Sequence, residues 1–259
     1  MSCKWTTGDY VALEVRSLAA TYYDGHHIEP HVHPWGQLIY ASEGLMRVYA
    51  DNRLWLVPPQ RALWAPPRST HEIWAQGTFA MRTLYLSEKL CELLPPACKA
   101  IDVSSLLREL VLFIVRLGML NGAKAMDRRT MAFLVDQLAS PEVLPLSLTM
   151  PRDKRARLVA ELLREDPSDT KELTELAHIA GASVRTLQRT FRAETGLRFS
   201  EWRRRLRLLH AAALISGGAS VTAAGLDAGY QSTSAFVAAF RTELGITPAR
   251  IRPHHQQRN

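Results

Sequence analysis

The stretch SVRTLQRTFRAETG, Ser183 to Gly196, carries Arg185, Gln188 and Arg189 within about one helical turn. A guanidinium grips the O6/N7 edge of guanine and a glutamine amide the N6/N7 edge of adenine. Three such side chains on one helical face therefore supply donors and acceptors for reading bases in a major groove. No carboxylate precedes Glu194 in the stretch to neutralise them; a solvated, salt-bridging face is the plainer alternative. A second group, HVHPWGQ, places His31, His33 and Gln37 at intervals of two and four residues, and His71 follows a proline-rich turn. In an extended chain that parity turns the first three to one side. Three imidazoles suit a divalent metal such as zinc, nickel or iron. The same histidines, with Trp35, Trp55, Trp64 or Trp74, also suit a metal-free pocket for a small organic effector, or simply the packing of a β core.

Base-reading side chains work only on a helix that starts at a fixed point and is held by its opposite face. Ser183 is a good N-cap, and Leu187 and Phe191 fall opposite the charged face. Upstream, AHIAG sets the small residue Ala177 four positions before Gly181. That is the spacing of a helix-turn-helix, where the small side chain permits a close crossing and the glycine takes a positive φ. The unit recurs: FRAETG (Phe191 to Gly196) returns as FRTELG (Phe240 to Gly245) 49 residues later, and AHIAG returns as GLDAG (Gly225 to Gly229) 48 residues later. Two copies are too few for a solenoid. The second copy opens at Ser232 and presents Thr233, Ser234, Val237 and Ala238 above Phe236 and Phe240. Such a face touches thymine methyls and phosphates and reads few bases by hydrogen bonds. Between the copies, EWRRRLRLLHAAALIS reads as a connecting helix, with Arg203 and Arg204 as candidates for phosphate contacts.

Charge supports a division of labour. Of the net +7 over 259 residues, residues 1–150 contribute nothing, with 14 Lys and Arg against 14 Asp and Glu, while residues 151–259 carry 18 against 11. A polyanion-binding half would look like this, although a basic excess also serves solubility. From residue 28 to 86, short β-prone runs separated by EG, DN, PPQ, PPRST and QGT have the rhythm of a small antiparallel barrel or sandwich, with Asp51-Asn52 as a tight hairpin. Residues 103–120 and 124–139 read as helices. The stripe Leu106, Leu110, Ile114 and Leu117 suits either a dimer contact or packing on the same chain's β region. The stretch SPEVLPLSLTMP reads as a linker.

The three cysteines, Cys3, Cys91 and Cys98, form no CxxC pair, and no apolar leader follows the first residues; a reducing cytoplasm is the expectation. The most apolar run, LLRELVLFIVRLGML, is broken by Arg108, Glu109 and Arg116, so no membrane partner is expected. His26-His27 and His254-His255 are adjacent pairs that face opposite ways in an extended chain and chelate poorly.

With these features in hand, LAHIAGASVRTLQRTFRAETG and AGYQSTSAFVAAFRTELGITPARIR resemble the double helix-turn-helix domain of the AraC/XylS transcription regulators, over about residues 152–253. Ile251 stands where that family usually has an aromatic residue. The resemblance implies a bacterial, cytoplasmic, nucleoid-associated regulator that binds double-stranded operator or promoter DNA. It places Arg185, Gln188 and Arg189 on the base-reading face of the first unit, and Thr233, Ser234 and Val237 on that of the second. His31, His33, Gln37 and His71 resemble the motifs of a cupin barrel, with Gln37 in place of the usual glutamate.

The expected architecture has two domains: an N-terminal all-β cupin-like effector-sensing barrel (1–100) with an α-helical dimerisation segment (101–140), then a linker (141–151) and a C-terminal all-α domain with two helix-turn-helix motifs (152–259). The expected function is a homodimeric activator or repressor responding to a small-molecule effector near His31, His33, Gln37, His71, Trp35 and Trp64, with RNA polymerase as a partner if it activates. A divalent metal at His31, His33 and His71 stays open as a cofactor. The alternative is a metal-dependent cupin enzyme, an oxygenase or isomerase, with an appended DNA-binding domain. Against it, Gln37 is a poorer ligand than a carboxylate, and Glu43 and Glu72 sit at expected turns or exposed strand positions.

Overall fold

The computed structural model describes residues 13–139 and 146–251. Cys3, His254-His255 and part of the expected linker lie outside the described residues. The chain runs β1 (Leu13–Tyr22), β2 (His27–His31), β3 (Gly36–Ala50), β4 (Arg53–Val57), β5 (Arg61–Ala65), β6 (His71–Leu86), α1 (Glu88–Cys91), β7 (Lys99–Asp102), α2 (Ser105–Leu117), β8 (Met119–Asn121), α3 (Ala125–Leu138) and β9 (Ser147–Thr149). It then becomes helical: α4 (Lys154–Glu165), α5 (Leu173–Ile179), α6 (Val184–Thr195), α7 (Phe199–Ser216), α8 (Val221–Asp227), α9 (Thr233–Leu244) and a 3-10 turn at Pro248–Ile251.

The strands form one antiparallel sheet built on the long pair β3 and β6, which stay in register over most of their length. The expected breaks at EG and QGT are not turns. They fall inside β3 and β6, where the register shifts between Ala41 and Leu45 and Gly44 and Gly77 take positive φ. Gly44 is forced: a β-carbon there would run into the Thr78 carbonyl and the Phe79 backbone. The bulge bends the sheet so that its inner face closes over Ile39, Met46, Val48, Trp55, Leu63, Ile73, Phe79 and Met81. The outer face is equally dry: Leu38, Tyr40, Trp64, Leu84 and Leu86 pack under Leu107, Val111 and Ile114 of α2 and Met131, Leu134 and Leu138 of α3. Burial on both faces explains the near-continuous apolar strands. The stripe on α2 therefore divides, with Ile114 fully buried against the sheet while Leu106 and Leu117 are exposed.

Asp51 and Asn52 both take positive φ, 51° and 55°, as a two-residue hairpin between β3 and β4 requires. Strand β7 straddles the expected end of the barrel at residue 100, β8 begins at the expected end of the 103–120 helix, and β9 falls in the expected linker. The last pairs with β4, from Arg53 opposite Thr149 to Trp55 opposite Ser147. Leu148 of this strand and the flanking Leu146 and Met150 join a core shared by Leu45 and Leu56 of the sheet and Val159, Phe191, Trp202 and Leu206 of the helices.

Four further contacts fasten this joint. The Asn52 amide donates to the Met150 carbonyl (2.6 Å), Arg157 donates to the Asn52 amide oxygen (3.2 Å), and Tyr49 lies beneath the guanidiniums of Arg164 (5.4 Å) and Arg157 (5.9 Å). Burial pushes the Tyr49 phenol up to about 12, so it stays neutral there. Replacing Asn52 by glycine keeps the turn's φ but removes both side-chain bonds. Asn52→Gly is expected to lower stability by about 1–2 kcal/mol in chemical denaturation, with a smaller loss for Asn52→Asp, which keeps the oxygen facing Arg157.

Candidate functional site

In the helical half, the two units fold as their residue types demand. Ser183 caps α6 by accepting from the Thr186 amide (3.1 Å), and Ser232 caps α9 by accepting from the Ala235 amide (3.2 Å). Gly181 and Gly229 sit at the two turns with φ of 60° and 86°. In the second unit the small residue is needed: a β-carbon on Gly225 would press on the Phe236 ring at 3.0 Å. Leu187, Phe191, Phe236 and Phe240 are fully buried. The opposite face of α6 then projects Arg185, Gln188 and Arg189 into solvent, and none of the three has a hydrogen bond or ion pair with the described residues. Glu194 is turned elsewhere and accepts from the backbone amides of Arg152 and Asp153 at the start of α4. On α9, Thr233 and Ser234 are exposed and Val237 is half-buried.

The arginines of α7 divide differently from the expectation. Arg203, expected at phosphates, is committed internally: its guanidinium donates to the carbonyls of Asp169 and Lys171, and its side chain is only 14% exposed. Arg207 donates to Pro167 and Asp169, so the two together tie down the loop before α5. Arg205 donates to the carbonyls of Ser147 and Glu243. Arg204 is exposed and pairs with Glu243 (2.5 Å). No feature of the local sequence separates these four; the partners are carbonyls of distant loops. A cleft of about 910 Å³ between the two units is lined by Gln188, Arg198, Ser200, Arg204 and Tyr230, and it carries positive charge from one unit towards the other.

His31, His33 and His71 come together as the resemblance to a cupin barrel implied, offering ring nitrogens that all lie within 4.8 Å of one another. His71 on β6 stands opposite His31 on β2 and, on its other side, opposite Ala50 on β3. Each ring is oriented in the same way: Nδ1 meets a backbone carbonyl, of Glu29 for His31 (2.8 Å), Trp35 for His33 (2.8 Å) and Ser69 for His71 (2.9 Å). A neutral ring that donates through Nδ1 keeps a lone pair on Nε2. Burial and the adjacent rings push the His71 imidazole down to about 4, and its Nε2 has no hydrogen-bond partner among the described residues. Gln37 is buried beside them, with its amide oxygen 3.1 Å from His33 Nε2.

The tryptophans do not gather at this cluster. Trp64 lies on the opposite face of the sheet, fully buried under α2, with its indole donating to the Pro95 carbonyl (2.9 Å), because its strand position pairs with outward-facing Leu38. Trp55 fills the inner core, and Trp74 stacks on His27 at 3.6 Å. Trp35 stays close through its carbonyl and carries the Arg16 guanidinium over its ring at 4.3 Å. Of the nearby carboxylates, Glu72 is held by His27 (2.9 Å) and Glu43 is exposed at the bulge. A cleft of about 630 Å³ beside His71 is bounded by Ser69, Glu72, Cys98, the Asp51-Asn52 turn and Arg157 of α4, so it touches both halves of the chain.

Comparison with known proteins places both halves. A family model described as a helix-turn-helix domain matches residues 176–254, and one described as an AraC-like ligand binding domain matches residues 16–121. The chain is 32% identical over 220 residues to the HTH-type transcriptional regulator NimR of Escherichia coli, covering 85% of this chain and 80% of that protein. It is 41% identical over 100 residues to the HTH-type transcriptional regulator RipA of Corynebacterium glutamicum, covering 39% of this chain and 30% of that protein. Among solved structures, ToxT from Vibrio cholerae matches 92% of this chain and 97% of its own at 9% identity, with a TM-score of 0.38.

Internal and outward-facing arginines should separate in a denaturation experiment. Arg203→Ala strands two carbonyls and is expected to cost about 1–3 kcal/mol. Arg185→Ala and Arg189→Ala remove nothing the fold uses and should stay within about 0.5 kcal/mol of the parent.

Proposed function

Because the chain belongs to the AraC family of DNA-binding transcription regulators, with an N-terminal ligand-binding domain, we propose that α6 reads bases while α9 chiefly positions the protein on the duplex. The observation that carries this is the bare face of α6. Arg185, Gln188 and Arg189 are exposed on a rigidly capped helix and unspent on any partner among the described residues. Thr233, Ser234 and Val237 suit thymine methyls and phosphates. Arg198 and Arg204, lining the cleft between the units, suit the phosphate backbone that crosses it. Arg203 is left out of this set because its donors are engaged by carbonyls.

The effector in this reading binds at His31, His33, Gln37 and His71 and in the adjoining cleft. A divalent metal on the three histidines is part of it, supported by the shared Nδ1 anchoring and by the orphaned, buried Nε2 of His71. His71 neighbours Ala50, one residue from the turn that holds Met150 and Arg157. A ligand that shifts this rim acts directly on the joint with the DNA-binding domain, provided that it binds the two arrangements unequally. We read the β half with α2 and α3 as the sensing and dimerising unit and residues from α4 onward as the DNA-binding unit. The exposed Leu106, Leu117 and Met126 on the outer side of α2 and α3 favour a homodimer contact there. RNA polymerase is a partner where the regulator activates, and the bacterial cytoplasm and nucleoid follow from the DNA target. No helix among the described residues is long and apolar enough to cross a membrane. The reading is non-enzymatic, in keeping with the transcription regulators that the chain matches.

Arg189→Ala should cost about 1–3 kcal/mol in affinity for the preferred DNA site and relax the preference at one base position, measured by binding to a panel of single-base variants. Equal weakening on every sequence would make Arg189 a phosphate contact instead. Binding by the parent should fall steeply as salt rises, and Arg204→Ala should lower that slope without changing sequence preference.

A further inference from the structure

We infer that Glu243 is an internal stand-in for DNA phosphate: its carboxylate holds the Arg204 guanidinium in the free protein, and a phosphate entering the cleft between the two units displaces it and accepts from Arg204 and from the Tyr230 hydroxyl. The inference rests on the reading that this cleft meets the phosphate backbone. It goes beyond that reading by assigning two residues that set how strongly the contact is made.

The duplication supplies the contrast. Glu194 and Glu243 occupy the same place in FRAETG and FRTELG, 49 residues apart. Glu194 is built into the fold, because it accepts from the backbone amides of Arg152 (2.6 Å) and Asp153 (3.0 Å) ahead of α4. Glu243 holds a side chain instead: Arg204 donates to its Oε1 through Nη2 (2.5 Å) and Nε (3.1 Å). The fold needs little from that pair. The end of α9 is already fastened to α7 by Arg205, which donates to the Glu243 carbonyl (2.8 Å), and by Leu244, which is fully buried. The Arg204 side chain is 52% exposed, and an ion pair open to water contributes little to stability. Such a pair is free to exchange partners.

A second group lacks an acceptor. Tyr230 lines the cleft, and its ring packs against Phe236 with centroids 5.5 Å apart. Its hydroxyl is shielded from solvent and has no hydrogen-bond partner among the described residues. A buried hydroxyl without a partner is costly, and a phosphate oxygen would supply what it lacks. Burial raises the Tyr230 phenol above its usual value, with Arg204 pulling it down and Glu243 pushing it up; the phenol keeps its proton and can donate. A guanidinium and a phenol thus stand beside one carboxylate, which occupies the first and leaves the second unpaired. Glu172 also lines the cleft, but it stands at the start of α5 by Arg203, whose donors are engaged by carbonyls, so it masks no outward-facing charge. DNA prevails over Glu243 because capture of a phosphate also releases counterions condensed on the duplex, which an internal ion pair does not. The carboxylate therefore weakens binding to every sequence alike and leaves base recognition on α6 untouched.

Binding of the full chain to a fluorescein-labelled duplex of random sequence, followed over a range of potassium chloride concentrations, tests this. Glu243→Gln should bind about 2- to 5-fold more tightly than the parent with an unchanged salt slope, and Arg204→Ala should lower the slope by about 0.9. The gain from Glu243→Gln should vanish when it is made together with Arg204→Ala. A gain that persists there is the effect of one negative charge fewer on the surface, and it overturns the inference. Tyr230→Phe should weaken binding about 10-fold while leaving the denaturation midpoint unchanged or raised, since the hydroxyl has no partner to lose in the free protein. Parent-like binding by Tyr230→Phe removes the phenol from the site. Unchanged affinity in Glu243→Gln, with Arg204→Ala still lowering the slope, removes Glu243 although the cleft reading stands. Unchanged affinity and slope in Arg204→Ala overturn the cleft reading itself.

Discussion

Strand β9 is three residues long, and the two halves of this protein meet through it. Its carbonyls alternate as a strand's must. Those of Leu146 and Met150 face the β side, accepting from the Leu56 amide and the Asn52 side chain. Those of Ser147 and Thr149 face α7, accepting from Arg205 Nε and Trp202 Nε1 at 2.8 Å each. The same period places Leu148 in a core to which both the sheet and the helices contribute. A linker that is a strand on one side and a helix-packing surface on the other transmits displacement. A flexible tether would not.

That constraint explains how the basic residues are spent. The positive excess of the C-terminal half suits a polyanion, yet Arg203, Arg205 and Arg207 donate to backbone carbonyls of the loop before α5, the linker strand and the end of α9. Guanidinium suits this use because its fork reaches several carbonyls from one side chain. Part of the charge left facing outward lies on α6 and along the cleft between the two units. Internal arginines hold the geometry, and a smaller, outward-facing set is left for the proposed recognition.

What could be read from the residues alone had short-range causes. The serine caps, the turn glycines, the buried Leu187 and Phe191, and the Asp51-Asn52 hairpin each follow from one residue's preference over a few positions. The duplicated unit announced itself by repeating those preferences. His31 and His33 share a side because they lie two residues apart, whereas His71 joins them only through the pairing of β6 with β2. The features that escaped were set at long range. Strands β7, β8 and β9 are four, three and three residues long, too short to display a period, and exist only because a partner strand waits for them. The side of the sheet on which Trp64 falls depends on register, since both faces are apolar. The fates of Arg203 and Arg204 differ although they are adjacent, because helical rotation turns one to the loop and the other to solvent.

The central claim is that a rigid pair of unequal helix-turn-helix units reads DNA, with base recognition concentrated on α6. Selection of binding sites from a random DNA pool by the full chain, repeated with Arg189→Ala, tests it most directly. Two unlike half-sites about one helical turn, roughly 10 base pairs, apart are expected. One should be strongly specified and altered by the substitution; the other should be weakly specified and unaffected. Two equally specified half-sites, or a strong half-site that survives Arg189→Ala unchanged, would contradict it.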